Sequence, residues 1–297
     1  MNRRPKLAAA ERQEEKWGWI MVAPTMIGLI VLNIWPFIQT IYTSFCEHLG
    51  FGHYQFIGLD NYLEMFQNPE FWKATWNTVV FCILTVPGGM VLALFVAMLL
   101  NANVKFKGGF RTIFFLPLVC APAAIAMVWQ WIFNGQYGIL NQILGTNIQW
   151  ITNSNTAILA VAIVSVWSSV GYDAVLLLAG LQNIPKTLYE ANSIDGAGKI
   201  RQFFTITLPM VSPTMFSVLI MRLMASMKVY DLIYMMADDT NPALTDMQSL
   251  MFLFYRSSFT AGDRGYGSAI VILTVCLILL VTLIQFWGQK KWVTYDI

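Results

Sequence analysis

Three long stretches of this sequence contain no formally charged residue, and they limit the environment in which the chain can fold. Trp17–Cys46 is a run of 30 uncharged residues, Ala74–Val104 is a second run, and Thr112–Tyr172 is a third run of 61. A helix needs only about 20 consecutive apolar residues to cross the hydrocarbon core of a bilayer. Of all residues, 57% are hydrophobic and 11% are charged, whereas soluble domains have about 25% charged residues. The chain is therefore predicted to be a multi-pass membrane protein.

The hydrophobic pattern predicts an all-α fold with six transmembrane helices. The predicted spans lie near residues 17–45, 74–104, 112–133, 157–180, 211–236 and 266–288. The first run is longer than the apolar core of a signal peptide and lacks a small-residue cleavage site, so we expect it to remain as the first helix. The predicted domains are a cytoplasmic N-terminal arm (1–16), a transmembrane domain (17–289) and a cytoplasmic C-terminal tail (290–297).

Lysine and arginine residues are distributed unevenly between the two sides of the predicted membrane domain. Thirteen of the 18 lie in the N-terminal arm, the loop after the second span, the loop between the fourth and fifth spans, and the C-terminal tail. Short cytoplasmic loops carry an excess of lysine and arginine. Both termini and these two loops are therefore predicted to face the cytoplasm.

Composition and motif spacing argue against several kinds of site. The net charge of +2 is too small to suggest a nucleic-acid partner. Four widely scattered cysteines predict neither a disulfide framework nor a metal site. Gly196–Lys199 is similar to part of a phosphate-binding loop, but Ser193 and Ile200 occupy positions where that motif needs glycine and Ser or Thr. We therefore expect no cofactor in this chain.

A polar segment, Leu188–Pro213, separates the fourth and fifth predicted spans. Pro185 is suited to open a helix, because a proline at the first helical position lacks only an N–H that would have no partner there. Gly196 is expected to stop this helix. A second short helix should follow until Leu208 and Pro209 break it. The segment is the part of the chain most suited to contact another protein.

The spacing of residues in this segment resembles the EAA loop of ATP-binding cassette (ABC) importer permeases. The resemblance rests on Glu190, Ala191, Gly196 and, nine residues later, Ile206–Pro209. Asn192 departs from the pattern, since the family usually has alanine there. The flanking sequences GLQNIP and SIDGAG resemble the carbohydrate branch of that family. Together with the six predicted spans, the resemblance covers nearly the whole chain.

The resemblance implies a function and a set of partners. It implies a permease subunit of an ATP-driven importer for sugars or sugar-derived solutes in a prokaryotic plasma (inner) membrane. The implied partners are a second homologous permease, two ATP-binding subunits and an external solute-binding protein. ATP and Mg²⁺ would bind to the ATP-binding subunits, so this chain is not expected to be an enzyme. The EAA-like loop spans 181–210, and the residues expected to couple it to the ATPase are Glu190, Ala191, Asp195, Gly196, Leu208 and Pro209.

Charged residues inside membrane spans are rare and expensive, so each is a candidate for function. Arg222 is predicted near the midplane of the fifth span, and four-residue steps predict that it shares a helix face with Ser226 and Tyr230. Lys228 lies three residues before Asp231, so the two could pair. By resemblance to maltose-type permeases, Arg222, Ser226 and Val229 match positions that line a sugar cavity. The complete candidate substrate path is Trp167, Tyr172, Asp173, Arg222, Ser226, Val229, Tyr230 and Asp231.

Two roles remain open for Arg222 from the sequence. Pairing with Asp173 on the fourth span would make Arg222 a structural pin between helices. Alternatively, its guanidinium could bind a carboxylate or phosphate on an acidic cargo. The first role is compatible with a neutral oligosaccharide, whereas the second is not.

Two other functional classes fit parts of the sequence. A secondary transporter driven by an ion gradient could use Asp173 and Asp231 as proton or sodium sites. That class predicts internal repeats, which the sequence does not show, and gives the EAA-like loop no role. A membrane-embedded hydrolase would need a zinc-spaced His/Glu set or a nucleophile elbow, and the sequence has neither.

Overall fold

The computed structural model describes residues 9–50, 52–102 and 107–294. Residues 1–8 of the predicted arm and 295–297 of the predicted tail lie outside this part. The first half contains α1 (Ala9–Leu29), α2 (Trp35–Thr43), β1 (Cys46–His48), β2 (Tyr54–Phe56), α3 (Asp60–Gln67), α4 (Pro69–Asn101), α5 (Lys107–Val119), α6 (Pro122–Ile132) and α7 (Ile139–Leu144). The second half contains α8 (Ala157–Gln182), α9 (Lys186–Ile194), α10 (Lys199–Gln202), α11 (Leu208–Met227), α12 (Asp231–Met236), α13 (Leu244–Met247), α14 (Leu250–Tyr255) and α15 (Arg264–Gln289). π-Helical turns occur at Ile30–Ile34, Phe203–Thr207 and Arg256–Thr260. The predicted all-α class is confirmed.

Five helical segments are long and apolar enough to cross a membrane. They are Gln13–Thr43, Pro69–Asn101, Ala157–Gln182, Lys199–Met227 and Arg264–Gln289. They correspond to the predicted first, second, fourth, fifth and sixth spans. The first of these helical segments includes residues that were predicted to belong to a separate polar arm.

The third predicted span is not one helix. α5 and α6 meet at an angle of 105°, and the pair gives a sixth crossing if it is counted as a single span. Ala121, between the two helices, has extended backbone, and Pro122 opens α6. A residue before proline is disfavoured in the helical conformation, so the chain turns here. The expectation of one helix over 112–133 was therefore wrong.

The fifth span also differs from its predicted bounds of 211–236. It begins at Lys199 and ends at Met227, and α12 is a separate short helix. Pro209 lies in the first turn of α11, directly after a π-helical turn. The π-helical turn already departs from regular α-helical hydrogen bonding, so the N–H that Pro209 lacks does not end the helix there.

The core is formed by α4, α8 and α11. α4 and α8 pack along much of their length, and α11 packs against both. Small side chains on α4 and α8, including Ala93, Ala97 and Ala174, are fully buried in this contact, which lets the helices approach closely. By contrast, α2 packs against α15, while the described side chains of α1 are largely exposed.

The segment between α12 and α15 is fixed to the end of α4 that carries Pro69. The Asn77 amide donates to the carbonyl oxygens of Thr245 and Gln248 at 2.9 and 3.1 Å. Lys73 Nζ lies 2.7 Å from Asp246 Oδ1. The Lys73 ammonium lowers the pKa of the Asp246 carboxyl, mainly by hydrogen bonding. This segment is therefore anchored to the helical core.

Candidate functional site

The loop between the fourth and fifth spans is a helix, a glycine turn and a second helix, as predicted. α9 follows Pro185, which has extended backbone. Gly196 has φ of 75°, a left-handed conformation that glycine adopts without the steric penalty of a side chain. Gly198 then precedes α10. The two helices therefore form a compact helical turn at one end of the fifth span.

Hydrogen bonds brace α9 against the start of the fifth span. The Tyr189 hydroxyl lies 2.9 Å from Thr207 Oγ1, and the Gln202 amide donates to Ser193 Oγ at 2.8 Å. The Asn192 amide donates to Thr205 Oγ1 at 3.4 Å. Asn192, the residue that departs from the family pattern, thus makes a contact that alanine could not make.

The predicted coupling residues lie on both sides of this turn. Glu190, Ala191, Asp195 and Gly196 are exposed, whereas Leu208 and Pro209 are half-buried at the start of α11. Large apolar side chains are exposed beside them: Ile194 is 87%, Ile200 is 78% and Phe204 is 60% exposed. Exposed apolar residues flanked by polar ones are typical of protein interfaces. We call Ile194, Ile200 and Phe204 the loop patch.

Arg222 and Asp173 form a buried ion pair between α11 and α8. Arg222 Nε and Nη2 both donate to Asp173 Oδ2, at 2.9 and 2.5 Å. The two side chains are only 9% and 5% exposed. Of the two roles left open by the sequence, the structure therefore shows the structural one, in which Arg222 connects the fifth span to Asp173 on the fourth.

Ser226 shares the buried face of Arg222 on α11, as four-residue steps predicted, whereas Tyr230 does not. Ser226 is buried, and its hydroxyl lies 2.9 Å from Thr85 Oγ1 on α4. Tyr230 lies beyond the end of α11, with φ of −141°. Because the helix stops at Met227, helical periodicity cannot be extended to Tyr230.

A cavity of about 340 Å³ lies between the bend of α5 and α6, the middle of α8, and the break after α11. Six of its lining residues carry polar groups or belong to the predicted path: Ser165, Ser168, Lys228, Val229, Tyr230 and Asp231. Arg222 does not line it. We call this space the membrane cavity.

Lys228 and Asp231 line this cavity without forming the ion pair that their spacing allowed. Ion pairs in the described part of the chain are Lys73–Asp246, Arg222–Asp173 and Arg256–Glu70. Two non-helical residues separate Lys228 from α12, so the side-by-side placement of residues three apart on a helix is lost.

A cluster of aromatic rings adjoins the membrane cavity. The Tyr230 ring lies 4.6 Å from the Tyr255 ring and 5.5 Å from the Tyr234 ring, and Tyr255 lies 5.3 Å from Phe259. The Tyr230 hydroxyl can donate a hydrogen bond to a bound solute.

Trp167 and Tyr172 lie away from this cavity. Trp167 faces Trp129 edge-on at 5.5 Å and lines an apolar crevice between α4, α6 and α8. Tyr172 is 45% exposed on α8. The eight predicted path residues thus divide into Val229, Tyr230 and Asp231 at the cavity, a buried set of Asp173, Arg222 and Ser226, and these two aromatic residues.

Several cavity residues were absent from the predicted site. Ser165 and Ser168 come from the small polar residues of α8, and the bend of α5 and α6 supplies Cys120. The serines had a signal in the sequence, since small polar residues in an apolar span often lie at helix contacts or cavities. Cys120 had none, because its position depends on the bend between α5 and α6.

The helical membrane domain, the braced loop and the membrane cavity define the membrane subunit of a transporter. The family model described as "Binding-protein-dependent transport system inner membrane component" matches residues 89–293. The chain belongs to this family and is thus a multi-pass inner membrane protein.

Relatives cover nearly the whole chain. The sulfoquinovosyl glycerol transport system permease protein SmoG of Agrobacterium fabrum is 33% identical, over 95% of this chain and 96% of the relative. The trehalose/maltose transport system permease protein MalF of Thermococcus litoralis is 35% identical, over 92% of this chain and 93% of the relative. The resemblance to carbohydrate importer permeases is thereby confirmed, and the ion-coupled alternative has no support.

A solved structure shares the fold. A chain of a bacterial ABC transporter involved in the import of the acidic polysaccharide alginate matches with a TM-score of 0.83 and 21% identity, over 95% of this chain and 98% of that one. At this identity the match supports the overall architecture and carries no information about cargo.

Proposed function

We propose that this chain is a permease subunit of an ATP-driven importer and that its cargo is a sugar or a sugar derivative. The observation that carries the proposal is one continuous helical segment, Lys199–Met227. The braced loop lies at its start, and the membrane cavity is lined by residues just beyond its end. A push on the loop by ATP-binding subunits would therefore reach the cavity through a single rigid element.

The chemistry of the membrane cavity supports a sugar as cargo. Ligand sites combine apolar and aromatic walls with a few placed polar groups. Here the Ser165 and Ser168 hydroxyls and the Asp231 carboxylate can bond to sugar hydroxyls, while the Tyr230 ring offers an apolar face. The names of the relatives, which include sulfoquinovosyl glycerol and trehalose/maltose permeases, agree with this class of cargo.

The proposed assembly contains a second homologous permease, two ATP-binding subunits and an external solute-binding protein. The family description supports the binding protein. The loop patch fits the ATP-binding subunits, because its exposed apolar side chains need a protein surface to cover them. ATP and Mg²⁺ would be held and used by those subunits.

Both termini and the braced loop are proposed to face the cytoplasm, on the basis of the lysine and arginine distribution. Lys199→Cys and Thr245→Cys, in a cysteine-free background, should then react with an impermeant maleimide from opposite sides of the membrane. Both positions are exposed in the structure. Reaction of both from outside intact cells would contradict the proposed orientation.

Coupling through the loop is tested by two substitutions. Glu190→Ala removes an exposed carboxylate and should weaken association with the ATP-binding subunits. Gly196→Val places a β-branched residue at a left-handed position, which costs about 1–3 kcal/mol and should distort the turn. Co-purification of the ATP-binding subunits and ATP-driven uptake into proteoliposomes measure both effects.

Gly145→Val is the matched control for the glycine variant. Gly145 also has positive φ, at 63°, and no atom of the structurally described chain lies within 4 Å of an added Cβ. It follows α7 and lies outside the loop. The Gly145→Val substitution should strain the backbone as much as Gly196→Val does, without reducing subunit association. Normal association and uptake in both loop variants would refute the coupling role.

A further inference from the structure

The membrane cavity contains an unusual set of charges for a space inside a membrane domain. Of the described residues that line it, Lys228 and Asp231 carry charge, and the other lining side chains from α5, α6, α8 and α11 are neutral. A charge at membrane depth normally has a partner, since an unpaired one is expensive. Both residues are exposed, and neither forms an ion pair with any residue in the described part of the chain.

Arg222 cannot serve as the cation for a cargo in this arrangement. Its Nε and Nη2 are bound to Asp173, and the pair is buried between helices. The neighbouring carboxylate also cancels the positive charge of Arg222 locally. Among the described lining residues, Lys228 is therefore the cation that a cargo in the cavity can reach. Its flexible side chain can adjust its position to contact an anionic group.

We propose that Lys228 binds an acidic group on the cargo, and this inference rests on the proposed sugar-importer function. The cargo would then be an anionic sugar such as a uronic acid, sulfonated sugar or sugar phosphate. The Asp231 carboxylate orients this cargo. It repels the acidic group and accepts hydrogen bonds from hydroxyls at the other end of the sugar. Lys228 and Asp231 together therefore select the orientation of the cargo as well as its charge.

A purely structural role for Lys228 makes a different prediction. Lys228 follows the last residue of α11, where a positive charge interacts favourably with the helix dipole. That interaction would stabilise the subunit for every cargo alike. Selective loss of acidic cargo therefore separates recognition from helix stabilisation.

The test measures binding of matched disaccharides to the full transporter in nanodiscs. Each uronic acid is compared with its neutral parent sugar and with its own methyl ester, which lacks the charge. Wild type should bind at least one acid more tightly than both of its neutral forms, by roughly tenfold or more for one charge-assisted contact. Lys228→Gln should remove this preference, and Lys228→Arg should keep most of it.

Lys290→Gln is the matched control, because Lys290 is an exposed lysine at the far end of α15 and the substitution is the same. It should leave the acid preference intact. The methyl ester comparison uses wild-type protein, so the inference can be tested even where Lys228→Gln fails to assemble.

Two results would overturn the inference while leaving the sugar function in place. One is equal binding of acid and methyl ester by wild type, and the other is equal loss of acidic and neutral sugars in Lys228→Gln. Binding of no sugar in the panel by wild type would instead refute the proposed function, together with the inference that rests on it.

Discussion

Replacing Arg222 by serine is expected to abolish transport of neutral and acidic sugars to the same extent. The substitution leaves the Asp173 carboxylate buried without its partner, 5% exposed between α8 and α11. Removing one member of a buried ion pair destabilises a protein by about 3–5 kcal/mol. Thermal unfolding of the purified transporter, with uptake of paired neutral and acidic sugars, measures the effect.

The double variant Asp173→Leu/Arg222→Leu is the control for this interpretation. It removes both charges, so no unpaired charge remains, and replacing a buried pair by apolar residues is often neutral or stabilising. Its thermal stability should therefore return towards that of wild type. Loss confined to acidic cargo in Arg222→Ser, with unchanged unfolding temperature, would show that Arg222 recognises cargo instead of pinning the helices.

Replacing Gly171 by alanine is expected to displace α5 from α8. A Cβ atom at Gly171 would lie 2.0 Å from the carbonyl oxygen of Phe114, which is backbone and cannot rotate away. Overpacking of this kind costs about 1–3 kcal/mol, and more where backbone must move. Since α5 leads into the bend beside the membrane cavity, both unfolding temperature and sugar binding should fall.

Gly88→Ala is the matched control for Gly171→Ala. Gly88 is also inside a membrane helix, α4, but none of the described residues has an atom within 4 Å of an added Cβ there. Alanine there should be neutral or stabilising by up to about 1 kcal/mol, because alanine is the better helix former. Equal unfolding temperatures for the two variants would show that α5 and α8 are not in the close contact seen at Gly171.

Local sequence signals predicted the elements that depend on local physics. Hydrophobic runs placed five of the six spans, because burial in lipid depends on the composition of each segment by itself. The glycine turn after α9 followed from the backbone freedom of Gly196. The resemblance of the loop to the EAA pattern then identified the family, since that spacing is maintained within roughly twenty consecutive residues.

The cavity depended on contacts that no local signal encodes. Arg222 and Asp173 are 49 residues apart in the chain. A hydropathy pattern cannot predict whether two such residues contact each other or a cargo. The break after Met227 separated Lys228 from Asp231 and moved Tyr230 off the helix face that periodicity predicted. Sequence thus determined which residues are charged within the membrane. The packing of α8 against α11 determined that Arg222 is neutralised, and the helix break left Lys228 accessible at the cavity.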